Sequence, residues 1–126
     1  MPLVNISLRT GKTAAYKQAI FDNVYLALRE TFNVPENDQF MLLTEHDAAS
    51  FCYNASYMNV ARSDELVFIQ LTVSNTRDLE QKKALFHRIA QRLGDNPGIR
   101  PDDVFINLVE VPKENWSFGH GLAQYA

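Results

Sequence analysis

Leu66-Val67-Phe68-Ile69-Gln70-Leu71-Thr72-Val73, continuing into Ser74-Asn75-Thr76-Arg77-Asp78-Leu79, is the stretch whose reading decides the fold. Its first eight residues form an almost continuous apolar, β-branched run, the pattern of a strand buried on both faces of its sheet. From Thr76 the period changes. Leu79, Phe86, Ile89 with Ala90, and Leu93 recur on one helical face, Asp78 falls in the first turn, and Gly94 supplies the stop. Asp95-Asn96-Pro97-Gly98 turns the chain, and Val104 to Val111 reads as a second strand. This half is β-α-β.

The other half starts in the same way. From Pro2 to Leu8, Leu3 with Val4, Ile6 and Leu8 alternate with Asn5 and Ser7, as in a strand with one well-buried face. After Gly11, Tyr16, Ile20, Val24, Ala27 with Leu28, and Phe32 recur at helical spacing, and Asn33-Val34-Pro35 ends that helix because the residue before a proline is pushed out of the helical region. A turn through Glu36-Asn37-Asp38 leads to a strand expected at Phe40 to Thr44. Residues 45–64 carry aromatic side chains among small and polar ones without a stable period, and a short strand or ribbon is expected there. Two β-α-β units imply an α/β (α+β) fold: parallel pairs joined by right-handed crossovers, one sheet, and both helices on one face of it. The opposite face is left bare. A strand apolar on both sides cannot be left facing water, so the chain is expected to oligomerise through that face.

Composition narrows the function. A chain of 126 residues is one ordinary domain, 1–126, with a sizeable core. The net charge of -3, with Lys and Arg scattered, provides no basic stripe for a row of phosphates, so nucleic acid is not an expected partner. No apolar run approaches the roughly 20 residues that span a bilayer, and the start lacks a signal-peptide pattern; no membrane partner and a cytoplasmic location are expected. Cys52 is the one cysteine, which rules out an internal disulfide and a thiolate cluster. His46, His87 and His120 are scattered with no i, i+4 pair, so surface or interface histidines are the better reading than a metal site. P-loop, dinucleotide and Gly-x-Ser-x-Gly signatures are all missing.

Proline directly after the initiator Met has its own chemistry. Met is normally trimmed before so small a residue, and the product is a free secondary amine. An α-amino group has a reference pKa of about 7.7–8, so burial or a neighbouring cation could leave Pro2 neutral near pH 7. The neutral amine is a general base, and the protonated one a general acid. Met-Pro by itself is also an ordinary chain start.

Met-Pro-Leu-Val followed by two β-α-β units resembles the tautomerase superfamily, whose enzymes use an amino-terminal proline. More specifically, Phe32-Asn33-Val34-Pro35-Glu36-Asn37-Asp38-Gln39, Glu45-His46, Glu80-Gln81-Lys82 and Asn115-Trp116-Ser117-Phe118-Gly119 look like malonate semialdehyde decarboxylase and its bacterial relatives. The resemblance runs from residue 2 to about residue 125. It implies that Pro2 donates or accepts a proton and that Asp38 helps to activate water or position substrate; a turn carboxylate bonding backbone N–H groups is the alternative. That family carries two closely spaced arginines before its second helix, whereas here only Arg77 matches. Arg77, read into the first turn of the helix, opposes the macrodipole, which makes sense if it faces an anion with the free N–H groups. The alternative is a solvated arginine paired with Asp78 or Glu80. Arg62, in a less readable loop, is a second candidate.

Trp116 and Phe118 are placed by the resemblance near the pocket, where aromatic walls exclude water; sealing a subunit interface is the alternative. Tyr125 receives no role. The resemblance thus implies a cofactor-independent tautomerase or isomerase that takes a small oxo acid, with no metal, in a homotrimer. Decarboxylation or hydration with a protonated Pro2 is the nearest enzymatic alternative. A binding or signalling protein on the same scaffold, as in macrophage migration inhibitory factor, is the alternative of another class.

Overall fold

A computed structural model describes residues 1–126. Its main elements are β1 (Leu3–Arg9), α1 (Ala14–Phe32), β2 (Met41–His46), β3 (Val67–Ser74), α2 (Leu79–Asp95) and β4 (Val104–Val111). The four strands form one sheet in the order β2-β1-β3-β4. β1 runs parallel to β2 and β3 parallel to β4, while β1 and β3 are antiparallel at the centre. The chain is thus two β-α-β units joined along their first strands, as the patterning implied.

Local chemistry sets the helix limits. The Thr13 hydroxyl accepts from the Tyr16 N–H to cap α1, and Asn33 closes the other end in the left-handed region at φ 54°. At α2, Asp78 and Gln81 form a reciprocal capping box. Val4, Ile6 and Leu8 of β1 and Val67, Ile69, Leu71 and Val73 of β3 then bury their side chains against the helices. Leu71 is fully buried in this layer. Leu71→Ala is expected to cost about 2–5 kcal/mol from lost burial and the cavity left behind. Urea unfolding at fixed protein concentration measures that cost, the concentration being held because self-association would otherwise shift the midpoint.

Four expectations change. β3 is not apolar on both faces: its register sends Val67, Ile69, Leu71 and Val73 inward and Phe68, Gln70 and Thr72 outward, so a period of two was hidden by an outward Phe and the methyl of Thr72. The buried stripe of α2 is Leu85, Ile89 and Leu93, whereas Leu79 is 63% exposed in the first turn, before the helix reaches the core, and Phe86 is 37% exposed. Residues 45–64 add no strand beyond the end of β2; short 3-10 turns at Ala48–Ser50 and Tyr57–Asn59 fold that stretch, in which Phe51 packs edge-on against Phe68 at 5.4 Å. β2 also runs to His46 rather than ending at Thr44.

The register decides where chemistry can gather. Val4 pairs with Met41, Leu3 with Thr72, and Ser74 with Val111. The start of β1, the approach to β2, and the ends of β3 and β4 therefore meet at one edge of the sheet.

Candidate active site

At that edge lies a cleft of about 240 Å³ lined by Met1, Pro2, Leu3, Phe40, Trp116, Ser117 and Phe118. Pro2 is buried. The chain here carries Met1, so the Pro2 nitrogen is an amide, and the Met1 amine stands in for the terminal nitrogen that Pro2 would present one residue later. That amine lies 4.0 Å from Asp38 Oδ2, with both side chains only 12% exposed. Burial lowers its pKa below the ordinary amine value; Asp38 pulls the other way, and Arg77 and Lys113 add to the lowering.

Asp38 sits in the turn before β2, where its backbone N–H donates to the Pro35 carbonyl at 3.2 Å. Its carboxylate does not serve that turn. Oδ1 is buried and has no hydrogen-bond partner, a costly state for a carboxylate oxygen. Burial raises the Asp38 pKa, and the terminal amine and Arg77 partly offset the rise. An amine and a carboxylate thus each bias the other in a mostly dry setting.

Arg77 is not in the first turn of α2. It precedes Asp78, the N-cap, and its guanidinium turns back: Nη2 donates to the Phe32 carbonyl at 2.7 Å, Nη1 to Thr76 Oγ1 at 3.0 Å, and the group lies 5.0 Å from the Phe32 ring centroid. Phe32 ends α1, so the cation meets the negative end of that helix dipole instead of opposing the positive end of α2. Pairing with Asp78 or Glu80 does not occur, since Asp78 is held in the capping box and Glu80 pairs with Lys83 at 3.6 Å. The charge of Arg77 is felt by both the amine and Asp38.

The tail supplies the wall. Trp116 stacks on Phe118 with centroids 5.6 Å apart and planes 19° from parallel, and Tyr125 meets Phe118 edge-on at 4.8 Å. Tyr125, which received no role from the sequence, therefore backs the wall. Phe40 and Ser117 line the cleft, and Lys113 acts on the amine; Lys113 stands in no pattern that a sequence could flag, and the other two were read only as parts of a strand and of the tail segment.

Other candidates lie elsewhere. Arg62 Nη1 donates to the carbonyls of Asn54 at 3.2 Å and Tyr57 at 2.9 Å, tying a loop together. His46 pairs in register with Arg9 at the far end of β1. His120 is exposed in the tail. Nowhere do three His, Cys, Asp or Glu side chains converge at metal-ligand spacing. No helix is long and apolar enough to cross a membrane.

Comparison with known proteins shows the family and the fold. Two family models described as "Tautomerase enzyme" match, one over residues 38–119 and the other over residues 2–57. A Bacillus subtilis protein named "Probable tautomerase YusQ" is 40% identical over 98% of this chain and 98% of its own. Among solved structures, a malonate semialdehyde decarboxylase described as having decarboxylase and hydratase activities is similar at 30% identity with a TM-score of 0.91, over 98% of this chain and 95% of that one. A fused 4-OT symmetric trimer shares the fold at 24% identity and a TM-score of 0.80, over 98% and 97% of the two chains.

Proposed function

We propose a function from the premise that this chain belongs to the tautomerase family: a cofactor-independent proton shift on a small 2-oxo acid or its enol, carried by the Pro2 amine after removal of Met1. The observation that carries the reading is the Met1 amine, standing where the Pro2 amine would follow it, at an apolar cleft 4.0 Å from Asp38 and with its proton affinity lowered by burial. Arg77 holds the substrate carboxylate as a charge-assisted pair. Pro2 removes the proton from the carbon α to the carbonyl, the electron pair of that C–H bond becomes the C=C bond while the C=O π pair moves onto oxygen, and the same proton is returned to that oxygen. The enol forms, and the reverse path yields the ketone. Asp38 steadies the protonated amine between the two transfers, and Trp116 and Phe118 keep water from the enolate.

Ketonisation of the enol of phenylpyruvate or of 2-hydroxymuconate tests this. Acceleration of neither, by protein whose Met1 removal has been verified by mass spectrometry, would overturn it. A second reading has an observation of its own: the free Asp38 oxygen beside the amine suits a protonated Pro2 with Asp38 delivering water, and the similar decarboxylase adds to it. Carbon dioxide release from malonate semialdehyde separates the two.

The pH profile follows from the charges. The base form of the Pro2 amine exists above its pKa; burial, which lowers the pKa of the Met1 amine at this place, is expected to lower that of Pro2 as well, so kcat/KM should rise through an acid limb below the ordinary value of about 8. Asp38 raises the pKa of the Met1 amine and Lys113 lowers it, and the same signs are expected for Pro2. Asp38→Asn is therefore expected to move the limb to lower pH, and Lys113→Gln to higher pH; a pH–rate series on both variants checks the signs.

The assembly belongs to the same reading. The outer sheet face carries Leu42 (62% exposed), Phe105 (45%) and Val109 (38%) beside polar Asn5, Gln70 and Asn107. The chain forms a homotrimer through this face, as the fused 4-OT protein forms a trimer. Light scattering on a sizing column should give three times the chain mass; a monomer contradicts it.

A further inference from the structure

The wall of the cleft hangs from the body of the protein by one polar contact. Beyond Pro112 every backbone hydrogen bond stays inside the tail: Asn115 to Pro112, Trp116 to Lys113, Leu122 to Gly119 and Ala126 to Ala123. Gln124 closes the segment on itself, accepting from the Phe118 N–H and donating to the Gly119 carbonyl, both at 3.0 Å. Lys113 lies over the Tyr125 ring at 5.8 Å, again within the tail. The exception is Trp116 Nε1–H, which donates to Ser74 Oγ at 3.2 Å. No ion pair or other side-chain hydrogen bond joins residues 113–126 to residues 1–112.

Ser74 is well placed for that duty. It is 2% exposed, at the end of β3, and fixed in register opposite Val111, one residue before the chain turns into the tail. Its neighbour Asn75 extends the ladder by donating to the Val111 carbonyl at 3.0 Å. The hydroxyl is therefore anchored to the rigid edge of the sheet, while the ring it holds belongs to a segment with no ladder of its own. Ser74 does not line the cleft.

We propose that Ser74 is a positioning residue: its hydroxyl latches the Trp116 indole to the end of β3 and so sets the wall against which substrate is held. A half-buried indole N–H without its acceptor would pull the ring toward water. Release of the ring opens the cleft from the tail side, which weakens substrate binding without touching Pro2, Asp38 or Arg77. The effect on catalysis rests on the proton-transfer reading above, whereas the latch itself does not.

Trp116 is the one tryptophan in the chain, so its fluorescence reports on the latch alone. In Ser74→Ala, acrylamide quenching of that emission is expected to rise about twofold or more. KM for the enol substrate should increase several-fold with kcat within a factor of two, and Ser74→Thr, which keeps a hydroxyl, should recover both. Trp116→Phe, which keeps a ring without the N–H, should raise KM similarly, and adding Ser74→Ala to it should change nothing further. Unchanged quenching in a folded Ser74→Ala protein overturns the latch. Increased quenching with KM unmoved overturns its role in holding substrate. If the wild-type protein turns over no enol, only the proton-transfer reading fails, because the quenching comparison still decides the latch. Far-ultraviolet circular dichroism confirms folding of each variant.

Discussion

Pro2→Ala is expected to lower kcat/KM for enol ketonisation by about 10²- to 10⁴-fold, the usual contribution of a positioned acid or base. Alanine also permits removal of Met1, so the variant still begins with an amine. What it loses is the ring that makes the amine secondary and fixes its direction. The comparison thus isolates the nitrogen's chemistry from the mere presence of a terminal charge. Two controls make the result decisive. Protein that retains Met1 has only an amide at Pro2 and should be inactive to the same degree. An alkynyl oxo acid such as 2-oxo-3-pentynoate should add once, with the bond from the Pro2 nitrogen to the alkyne carbon found by peptide mass spectrometry. Full activity in Pro2→Ala, or an adduct on another residue, removes Pro2 from the mechanism and leaves the cleft without a base.

The second large effect is expected at Arg77. Arg77→Ala should lower kcat/KM about 10²-fold, equivalent to about 2.7 kcal/mol of transition-state binding. Most of the loss should appear in KM, since the carboxylate is present in ground and transition states alike. The same guanidinium caps the Phe32 carbonyl at 2.7 Å, so stability should also fall, by about 1–2 kcal/mol. Arg77→Lys separates the two duties: it retains the charge but not the planar fork that can serve a carbonyl and a carboxylate together. An intermediate KM and a partly restored melting temperature are expected for lysine. Were Arg77→Ala to melt early yet keep its KM, Arg77 would be a helix cap and the carboxylate would need another partner, with Lys113 as the cation to examine.

Arg77 also illustrates how legible the site was. Its importance could be argued from the sequence, but the argument placed it inside the helix that follows. The structure puts it one residue before the Asp78 cap, with its side chain folded back on the preceding helix. Capping boxes move helix starts by a residue or two, and that shift reverses which dipole a charge meets. Asp38 was legible as a residue of interest through its turn and the family resemblance. That its carboxylate leaves the turn unserved, with Oδ1 buried and unpartnered, was not. Lys113 left no signal because a lone lysine in a loop has no period or spacing, while Phe40 and Ser117 were visible only as parts of an expected strand and of the Trp116-Ser117-Phe118-Gly119 segment, neither of which says that their side chains face the cleft.

The helix faces divide in the same way. Ile20, Val24, Leu28 and Phe32 were read correctly as the buried side of α1, where a long apolar stripe leaves one solution. For α2 Ile89 and Leu93 were read correctly, but Leu79 and Phe86 were placed on the same face, whereas Leu85 is the third residue that touches the core. Adjacent apolar residues such as Leu85 and Phe86 differ by 100° around the helix, and periodicity cannot choose between them unless the position of the sheet is known.

By itself the sequence determined the two β-α-β units and the limits of the core strands within a residue or two. These depend on local alternation, caps and breakers, which act over a few residues. Tertiary structure alone decided that the start of β1, the turn before β2, and the segments after β3 and β4 share one sheet edge. It follows from antiparallel pairing of β1 with β3 between two parallel pairs, a relation set by packing across residues far apart in the chain. Pro2 and Trp116 line one cleft, and Asp38 and Arg77 act on the terminal amine beside it, for that reason, and no local pattern encodes it.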